Sequence, residues 1–372
     1  MDKPVVIIHF QPLELYPPIM NLLKFLSTVN QGRIIVFTTS TQQPQALFQV
    51  NDSRISIRRI GFSGKGLSSL KRYLYYLQFY TLCCIQLMVL KPLKILYFET
   101  LSSFPAYLYR RYISKKASIL AHYHEYTSPE EYAGGMKLAR YFHKKEQWLY
   151  PHMKWISHTN KERLQRFQSD EKLADGSTGH IMPNYPGKAW LQKKAGNTGY
   201  ARIVYVGAVS RETMYFENFI NWVLQQHGRF TFDIFSSHIS EEDKRWIMQC
   251  DEKCIRLHAA VDYYSLPAIL AQYDTGVILY KGHIPNYVIN APNKLFEYLA
   301  CGLDVWVAKE ITGCSSYYTH NTWPRVLPVD FQRMEHFDWQ AAVEKAGLHY
   351  LPPSWYYEEV YPAIAGALFS RP

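Results

Sequence analysis

The sequence predicts an α/β protein of two domains, each a parallel sheet covered by helices. Three observations predict it. Short apolar runs rich in Val and Ile alternate with helix-period patterns along the chain, which is the rhythm of βαβ units. A length of 372 residues fits two domains, and a hydrophobic content of 48% is enough for two cores. A loop-like stretch of Gly, Lys, Ala, Asn and Thr, residues 187–200, interrupts the rhythm at mid-chain and reads as a linker. What repeats is the architecture, two Rossmann-like halves, with no short-period repeat or low-complexity segment.

In the first half, residues 5–10 read as a strand, followed by Gln11-Pro12 and a helical pattern ending near Val29, where Gln31-Gly32 supplies the stop. Residues 33–38 and 54–60 are the next strands. The glycine-bearing loop 61–66 lacks the spacing of a Walker loop and reads as a mobile surface loop. Residues 73–90 are eighteen positions without an acid or base, at the edge of a membrane-crossing length. Their Gln and Thr residues, their tyrosines and the strand that resumes at 95–98 favour a long helix buried on one face, its aromatic part suited to an interface. Residues 104–113 form a helix and 118–123 a strand that runs into His124-Glu125-Tyr126. Ligands of open α/β sheets sit beyond the carboxyl ends of strands, which is where His124 and Glu125 fall. An imidazole there can hydrogen-bond a substrate or take a proton, and Glu125 is the other candidate base. Glu99, ending the preceding strand, is a weaker binding candidate. A basic helix over 137–150, a strand at 155–157 and a helix at 160–167 follow, and 181–186 close the half.

The second half repeats the pattern. Strands fall near 202–206, 230–235, 255–258, 276–280 and 303–308, and helices near 215–226, 241–250 and 266–273. A C-terminal helix at 354–369 follows Pro352-Pro353. The most informative stretch is 291–302, Ala-Pro-Asn-Lys-Leu-Phe-Glu-Tyr-Leu-Ala-Cys-Gly. Pro292 disfavours a helical Ala291, Asn293 suits the N-cap and Gly302 suits C′. Leu295 with Leu299, and Phe296 with Ala300, make an apolar face. Lys294 and Glu297 form an i,i+3 pair off that face. A helix N-terminus between two buried strands presents free N–H groups and a positive dipole end, to which Lys294 adds a full charge. Such an end holds a phosphate, and Glu297 one turn in can accept hydrogen bonds from ribose hydroxyls. Gly207, after the first strand of this half, permits close approach of a ligand to the backbone.

Six cysteines show no disulfide framework, which points to a reducing compartment. Cys250, Cys254 and His258 lack a fourth partner for a metal. Asp2 and the missing basic n-region argue against a signal peptide. Residues 1–190 hold 25 Lys/Arg against 12 Asp/Glu, whereas 191–372 hold 16 against 19. A basic half beside a mildly acidic one suggests that one domain faces an anionic surface, with membrane and nucleic acid as candidates.

The run Asn-Lys-Leu-Phe-Glu-Tyr-Leu-Ala-Cys-Gly-Leu resembles the donor-binding helix of GT-B-fold glycosyltransferases, particularly the family-4-like group. The likeness covers nearly the whole chain. His124-Glu125-Tyr126, Ile156-Ser157-His158-Thr159-Asn160 with Glu162-Arg163, Pro183-Asn184, Val206-Gly207 and the 294–302 run occur in the family's order. The resemblance implies a GT-B fold, two Rossmann-like domains with parallel sheets facing across a cleft. Residues 1–187 would form the acceptor side, with a C-terminal helix in 353–372 packing back on it, and 188–352 the nucleotide-sugar side. It implies that the Lys294 end faces the nucleotide diphosphate, that Glu297 binds the ribose, that Asn293 and Gly207 belong to the same donor site, and that His124 lies near the transferred sugar. Ala208 stands where the family usually has Arg, which leaves Arg211 with Lys294 as the candidate diphosphate clamp. Ile289 occupies the place of the first Glu of the family's Glu pair, and Asp304 a place often held by Pro.

The activity this implies is transfer of a sugar from a nucleotide diphosphate sugar, UDP-linked, to a saccharide or lipid-linked glycan acceptor in surface polysaccharide biosynthesis. The expected setting is the cytoplasmic, inner face of the cell membrane, with an anionic membrane surface as partner and no nucleic acid. A base plus helix N–H groups stabilise a leaving diphosphate, so no obligatory metal or other cofactor is expected. The rival readings are a non-hydrolysing sugar-nucleotide epimerase of the same fold, and a non-catalytic basic binding protein with a degenerate site.

Overall fold

The structure is a computed structural model that describes residues 3–29, 32–41, 47–63, 68–173, 178–192, 201–236 and 238–370. Most of the expected linker, and residues 64–66 of the expected 61–66 loop, lie outside the described residues, while Gly61 and Phe62 belong to a strand. The chain divides into two compact units, Met1–Asn184 with Tyr357–Pro372, and Tyr185–Tyr356.

Unit 1 carries strands β1 (Val5–His9), β2 (Ile34–Ser40), β3 (Ile55–Phe62), β4 (Lys94–Phe98), β5 (Ser118–Tyr123), β6 (Met153–His158) and β7 (Gly179–Ile181). They form one sheet in the order β3-β2-β1-β4-β5-β6-β7, and every pair is parallel. Strands β1 and β4 are buried along their whole length, as central strands covered on both faces must be. Around the sheet lie α1 (Pro17–Val29), α2 (Ser69–Leu90), α3 (Ser103–Leu108), α4 (Pro129–Gly134), α5 (Lys137–Glu146) and α6 (Lys161–Asp170). After α3 the chain continues in π-helical form over Tyr109–Ile113, so the helix expected over 104–113 is not uniformly α.

In unit 2, β8 (Ala201–Val206), β9 (Phe230–Ser236), β10 (Ile255–Ala259), β11 (Thr275–Ile278) and β12 (Asp304–Ala308) are joined by α7 (Phe216–Gln225), α8 (Glu241–Met248), α9 (Leu266–Leu270), α10 (Pro285–Val288) and α11 (Asn293–Ala300). Beyond them come β13 (Thr322–Trp323), β14 (Val326–Val329), α12 (Trp339–Val343) and β15 (His349–Tyr350). The main sheet has the order β10-β9-β8-β11-β12-β14, again all parallel. Its core is aromatic, with Trp306, Tyr205, Tyr298, Phe216 and Phe219 fully or nearly fully buried. Asp304, in the place where Pro was expected, has a structural role. Its carboxylate pairs with Arg325 at 2.8 Å and accepts the Arg325 backbone N–H at 2.7 Å, both residues buried. That pair ties β12 to the entry of β14, a strand the alternation pattern missed because only four residues of it are extended.

The last helix, α13 (Tyr357–Phe369), belongs to unit 1. Tyr361 Oη donates to Pro18 O at 3.1 Å, and its ring packs on Phe25. The buried Lys94 ammonium caps the end of α13 through Ala367 O at 2.7 Å and Ser370 O at 2.6 Å, the favourable place for a cation at a helix C-terminus.

Two local expectations need correction. Asn293 is the first helical residue of α11, and Pro292 occupies the N-cap without a side-chain bond. The extended backbone that follows from Pro292 at φ −69° and ψ 152° already ends the preceding turn, so Asn293 is drawn into the helix. The helix expected over 266–273 ends at Leu270, with turn bonds from Gln272 and Tyr273 tightening its end.

Candidate functional site

Both sheets contain the place where strand order reverses: between β1 and β4 in unit 1, and between β8 and β11 in unit 2. Adjacent connections leave in opposite directions there and open a crevice at the carboxyl ends. The candidate residues gather at these two places, one group in each unit.

In unit 2, Gly207 follows β8 with φ +146°, a conformation glycine adopts freely. A Cβ added there would meet Lys294 Cε at 2.8 Å and Tyr205 Oη at 3.2 Å. A side chain at Gly207 would be strained at this φ and would displace the flexible end of Lys294, so the glycine leaves that end room beside the turn. The turn is held by Val206 N–H donating to Tyr298 Oη at 3.0 Å, Gly207 N–H to Phe235 O at 2.9 Å, and Tyr205 Oη to Ala208 O at 2.6 Å. Lys294 sits half-buried in the first turn of α11 and forms no ion pair among the described residues. Asn293 beside it is likewise half-buried.

Leu295, Phe296, Leu299 and Ala300 are buried, so the apolar face of α11 packs as its spacing predicts. Its end is a Schellman motif: Gly302 has φ +73°, its N–H reaches Leu299 O at 2.9 Å, and Leu303 N–H reaches Tyr298 O at 3.0 Å. Glu297 departs from the simple amphipathic picture. It is only 5% exposed, and burial raises its carboxyl above the ordinary range against the opposing effects of Lys294 and a hydrogen bond from Tyr263. A buried carboxylate one turn beyond a lysine at a helix N-terminus is poised for hydroxyl recognition.

Arg211 does not join this group as a free clamp. Its guanidinium binds Asp243 at 2.6 Å and Glu242 at 2.7 Å, lies over the Trp246 ring, and so is held by the first turn of α8. Two carboxylates neutralise it where the clamp needs an open cation. Ile289 is fully buried, so its position presents core surface and no acid to a ligand.

In unit 1, His9, Phe98 and His122 are aligned across β1, β4 and β5, so Phe10 and Glu99 emerge together at the carboxyl edge, with His124 one residue further along its strand's exit. They line a cavity of about 350 Å³ with Tyr16, Glu125 and Tyr132. His124 is 7% exposed. Its backbone N–H donates to Glu99 Oε1 at 2.6 Å, and its Nδ1 lies 3.2 Å from both Asn184 Oδ1 and His122 Nε2. His122 Nδ1 is 2.9 Å from Ser157 Oγ. One proton placement satisfies this chain: Nδ1–H on each ring, donating from His124 toward Asn184 and His122 and from His122 to Ser157. This tautomer is assigned from the network. It leaves His124 Nε2, which has no hydrogen-bond partner, as an unprotonated lone pair. Burial lowers the His124 pKa to about 4, so the ring is neutral at pH 7.

Glu125 is exposed at the cavity mouth. Glu99 was the lesser candidate in the sequence, yet it is the more perturbed group. Desolvation, then the Glu125 charge, raise its carboxyl to about 8, so it is protonated at neutral pH. It also holds φ +62° and ψ 154°, a region nearly reserved for glycine that costs about 1–3 kcal/mol. Strained backbone of this kind persists where surrounding contacts over-determine it. His9 was missed altogether, since a histidine at the end of an apolar run carries no local signal. It is 1% exposed with both ring nitrogens unpartnered.

Two parallel α/β units on one chain, each with polar residues collected at its strand-order switch, define the class: this is the GT-B fold. No family model matches the chain, and no curated protein matches it. Solved structures do match over its whole length. It is similar to the lipopolysaccharide outer core galactosyltransferase WaaB in its apo form (TM-score 0.64, 12% identity, 99% of each chain covered). It is also similar to HepE of Anabaena in complex with UDP and glucose (TM-score 0.57, 11% identity, 99% of this chain and 96% of that one). A third likeness is to UDP-GlcNAc 2-epimerase from Neisseria meningitidis bound to UDP-GlcNAc (TM-score 0.58, 11% identity, 100% of each chain). At these identities the likeness is one of fold.

Proposed function

We propose that the protein is a glycosyltransferase that moves a sugar from UDP to a saccharide or lipid-linked glycan acceptor in surface polysaccharide biosynthesis. The observation that carries this reading is the meeting of Lys294, at the start of α11, with Gly207 at the end of β8, and with Glu297 buried one turn on. An open cation at a helix N-terminus suits a diphosphate, and the carboxylate suits a ribose. The solved structures that hold UDP or UDP-GlcNAc on this fold support the choice of nucleotide. Lys294 and the helix N–H groups stabilise the departing UDP electrostatically, and no step in this scheme requires a metal.

The test is a thermal-shift panel of UDP, UDP-sugars, ADP and GDP. UDP at a hundred times its Kd is expected to stabilise the protein by about 2.7 kcal/mol, with little response to the other diphosphates. No UDP response removes this reading. Conversion of UDP-GlcNAc without any acceptor would replace it with the epimerase reading.

We further place the enzyme at the inner face of the cell membrane, on an anionic bilayer. Helix α2 is long and apolar enough to cross a membrane, but Phe79, Tyr80, Cys83 and Leu87 bury one narrow stripe of it. A helix linking two parallel strands of one sheet returns to that sheet and lies across its face. The remaining surface bears Leu70 at 71% and Val89 at 72% exposure, with Tyr73, Leu74, Leu77, Ile85 and Met88 also exposed. More of the helix is uncovered than one buried face requires. The π-helical turn packed near it adds Arg110 and Arg111, with Arg111 4.7 Å from the Trp148 ring and Tyr112 and Ile113 exposed. Apolar area edged with arginine fits an anionic interface, each base adding about 1 kcal/mol near the surface. Liposome flotation is expected to recover the protein with anionic vesicles, and to lose most of it with neutral vesicles or on Leu74→Glu/Leu77→Glu substitution. Equal recovery from both vesicle types removes the membrane assignment.

A further inference from the structure

The cavity in unit 1 has a chemistry that narrows its ligand. Three carboxyl groups line it, Glu99, Glu125 and Glu131, and among the described residues no Lys or Arg does. Arg163 is buried, is not among the lining residues, and donates to His124 O and Thr159 Oγ1. The two lining imidazoles are more than nine-tenths buried and lack partners at His9 Nδ1, His9 Nε2 and His124 Nε2. Buried polar atoms without partners are rare and costly, and the two residues that carry these three line a cavity large enough to hold a ligand.

A neutral imidazole offers one donor and one acceptor, and a protonated carboxyl offers a donor. Burial keeps both His9 and His124 neutral. A sugar hydroxyl is donor and acceptor at once, so it complements both. Phe10, Tyr16 and Tyr132 are the aromatic residues of the lining, suited to the C–H side of a sugar. An anionic group placed here would face Glu125 and Glu131 with no cation among the described lining residues, inside a partly desolvated space.

We propose that this cavity is the acceptor subsite and that it admits an uncharged, hydroxyl-bearing sugar residue while rejecting phosphorylated sugars and uronic acids. This rests on the glycosyltransferase reading and names the substrate class of that reaction. A volume of about 350 Å³ lies near the lower end of ligand pockets, roughly 300–1,000 Å³, and suits one sugar residue of a longer acceptor.

The experiment is saturation-transfer NMR on the full chain with methyl glucoside, methyl galactoside, N-acetylglucosamine, glucuronic acid and glucose 6-phosphate. UDP stabilisation is recorded on the same samples. At least one neutral sugar is expected to bind tenfold or more tightly than either anionic one. His9→Phe should abolish that binding and leave the UDP response intact. Glu125→Lys, at an exposed position that does not threaten folding, should bring an anionic sugar to within about threefold of the neutral one. The proposal is overturned if the anionic sugars bind as well as the neutral ones, or if no sugar binds to a protein that still responds to UDP. A protein that binds neutral sugars but not UDP would keep this subsite and lose the glycosyltransferase reading.

Discussion

His124→Ala is expected to lower sugar transfer about a hundredfold while leaving UDP affinity nearly unchanged. The size follows from general-base catalysis, which contributes roughly 10²–10⁴-fold. The assignment follows from the proton placement in the unit 1 network. Asn184 Oδ1 and His122 Nε2 accept hydrogen bonds from the Nδ1–H, and Nε2 is left as a lone pair without a partner. A smaller loss indicates a positioning contact, and Glu125→Gln in parallel tests the exposed carboxylate as the base. Transfer at the unchanged rate would make His124 a loop residue only. The pH dependence adds a check. Burial holds the His124 pKa near 4, so its base form persists down to that pH. The unfolded imidazole titrates near 6.5, so the unfolded chain binds the extra proton between these values. Stability from this group is therefore present above about pH 6.5 and is lost as pH falls toward 4. Rate and unfolding must be followed together in that window, so that acid unfolding is not mistaken for protonation of the base.

Lys294→Ala and Glu297→Ala are each expected to weaken UDP binding by about 1.5–3 kcal/mol, the range for a charge-assisted contact. The two removals act differently. Lys294 is half-buried and its loss opens space over Gly207, so folding is expected to be preserved. Glu297 is buried, and Glu297→Gln is the companion that keeps its volume. Arg211→Ala is expected to leave UDP affinity nearly unchanged, because Asp243 and Glu242 already hold its guanidinium. Calorimetry with UDP reads all four variants. Unchanged affinity in both alanine variants at 294 and 297 removes the donor-site assignment, and a large loss at Arg211 restores the clamp drawn from the sequence.

Whatever is encoded over a few neighbouring residues was legible before any tertiary contact was known. Alternating apolar runs and helical periods placed most strands to within a residue or two, because burial on a sheet or helix imposes those periods locally. The span of α11 and its glycine stop were legible for the same reason, since a C′ residue must turn left-handed and Gly302 does so without strain. His124 and Glu125 were found because they end a strand. The tertiary structure decided what depends on residues distant in the chain. It brought Lys294 onto Gly207, gave Arg211 to α8, buried Glu297, and gathered His9, Glu99 and His124 around one cavity. Strand order is the physical reason. Which carboxyl ends lie side by side is set by how the sheet is wound, and no local period in the sequence carries that information. Whether a charge stays open or is neutralised, and whether a carboxyl stays protonated, is set by the neighbours that this winding supplies.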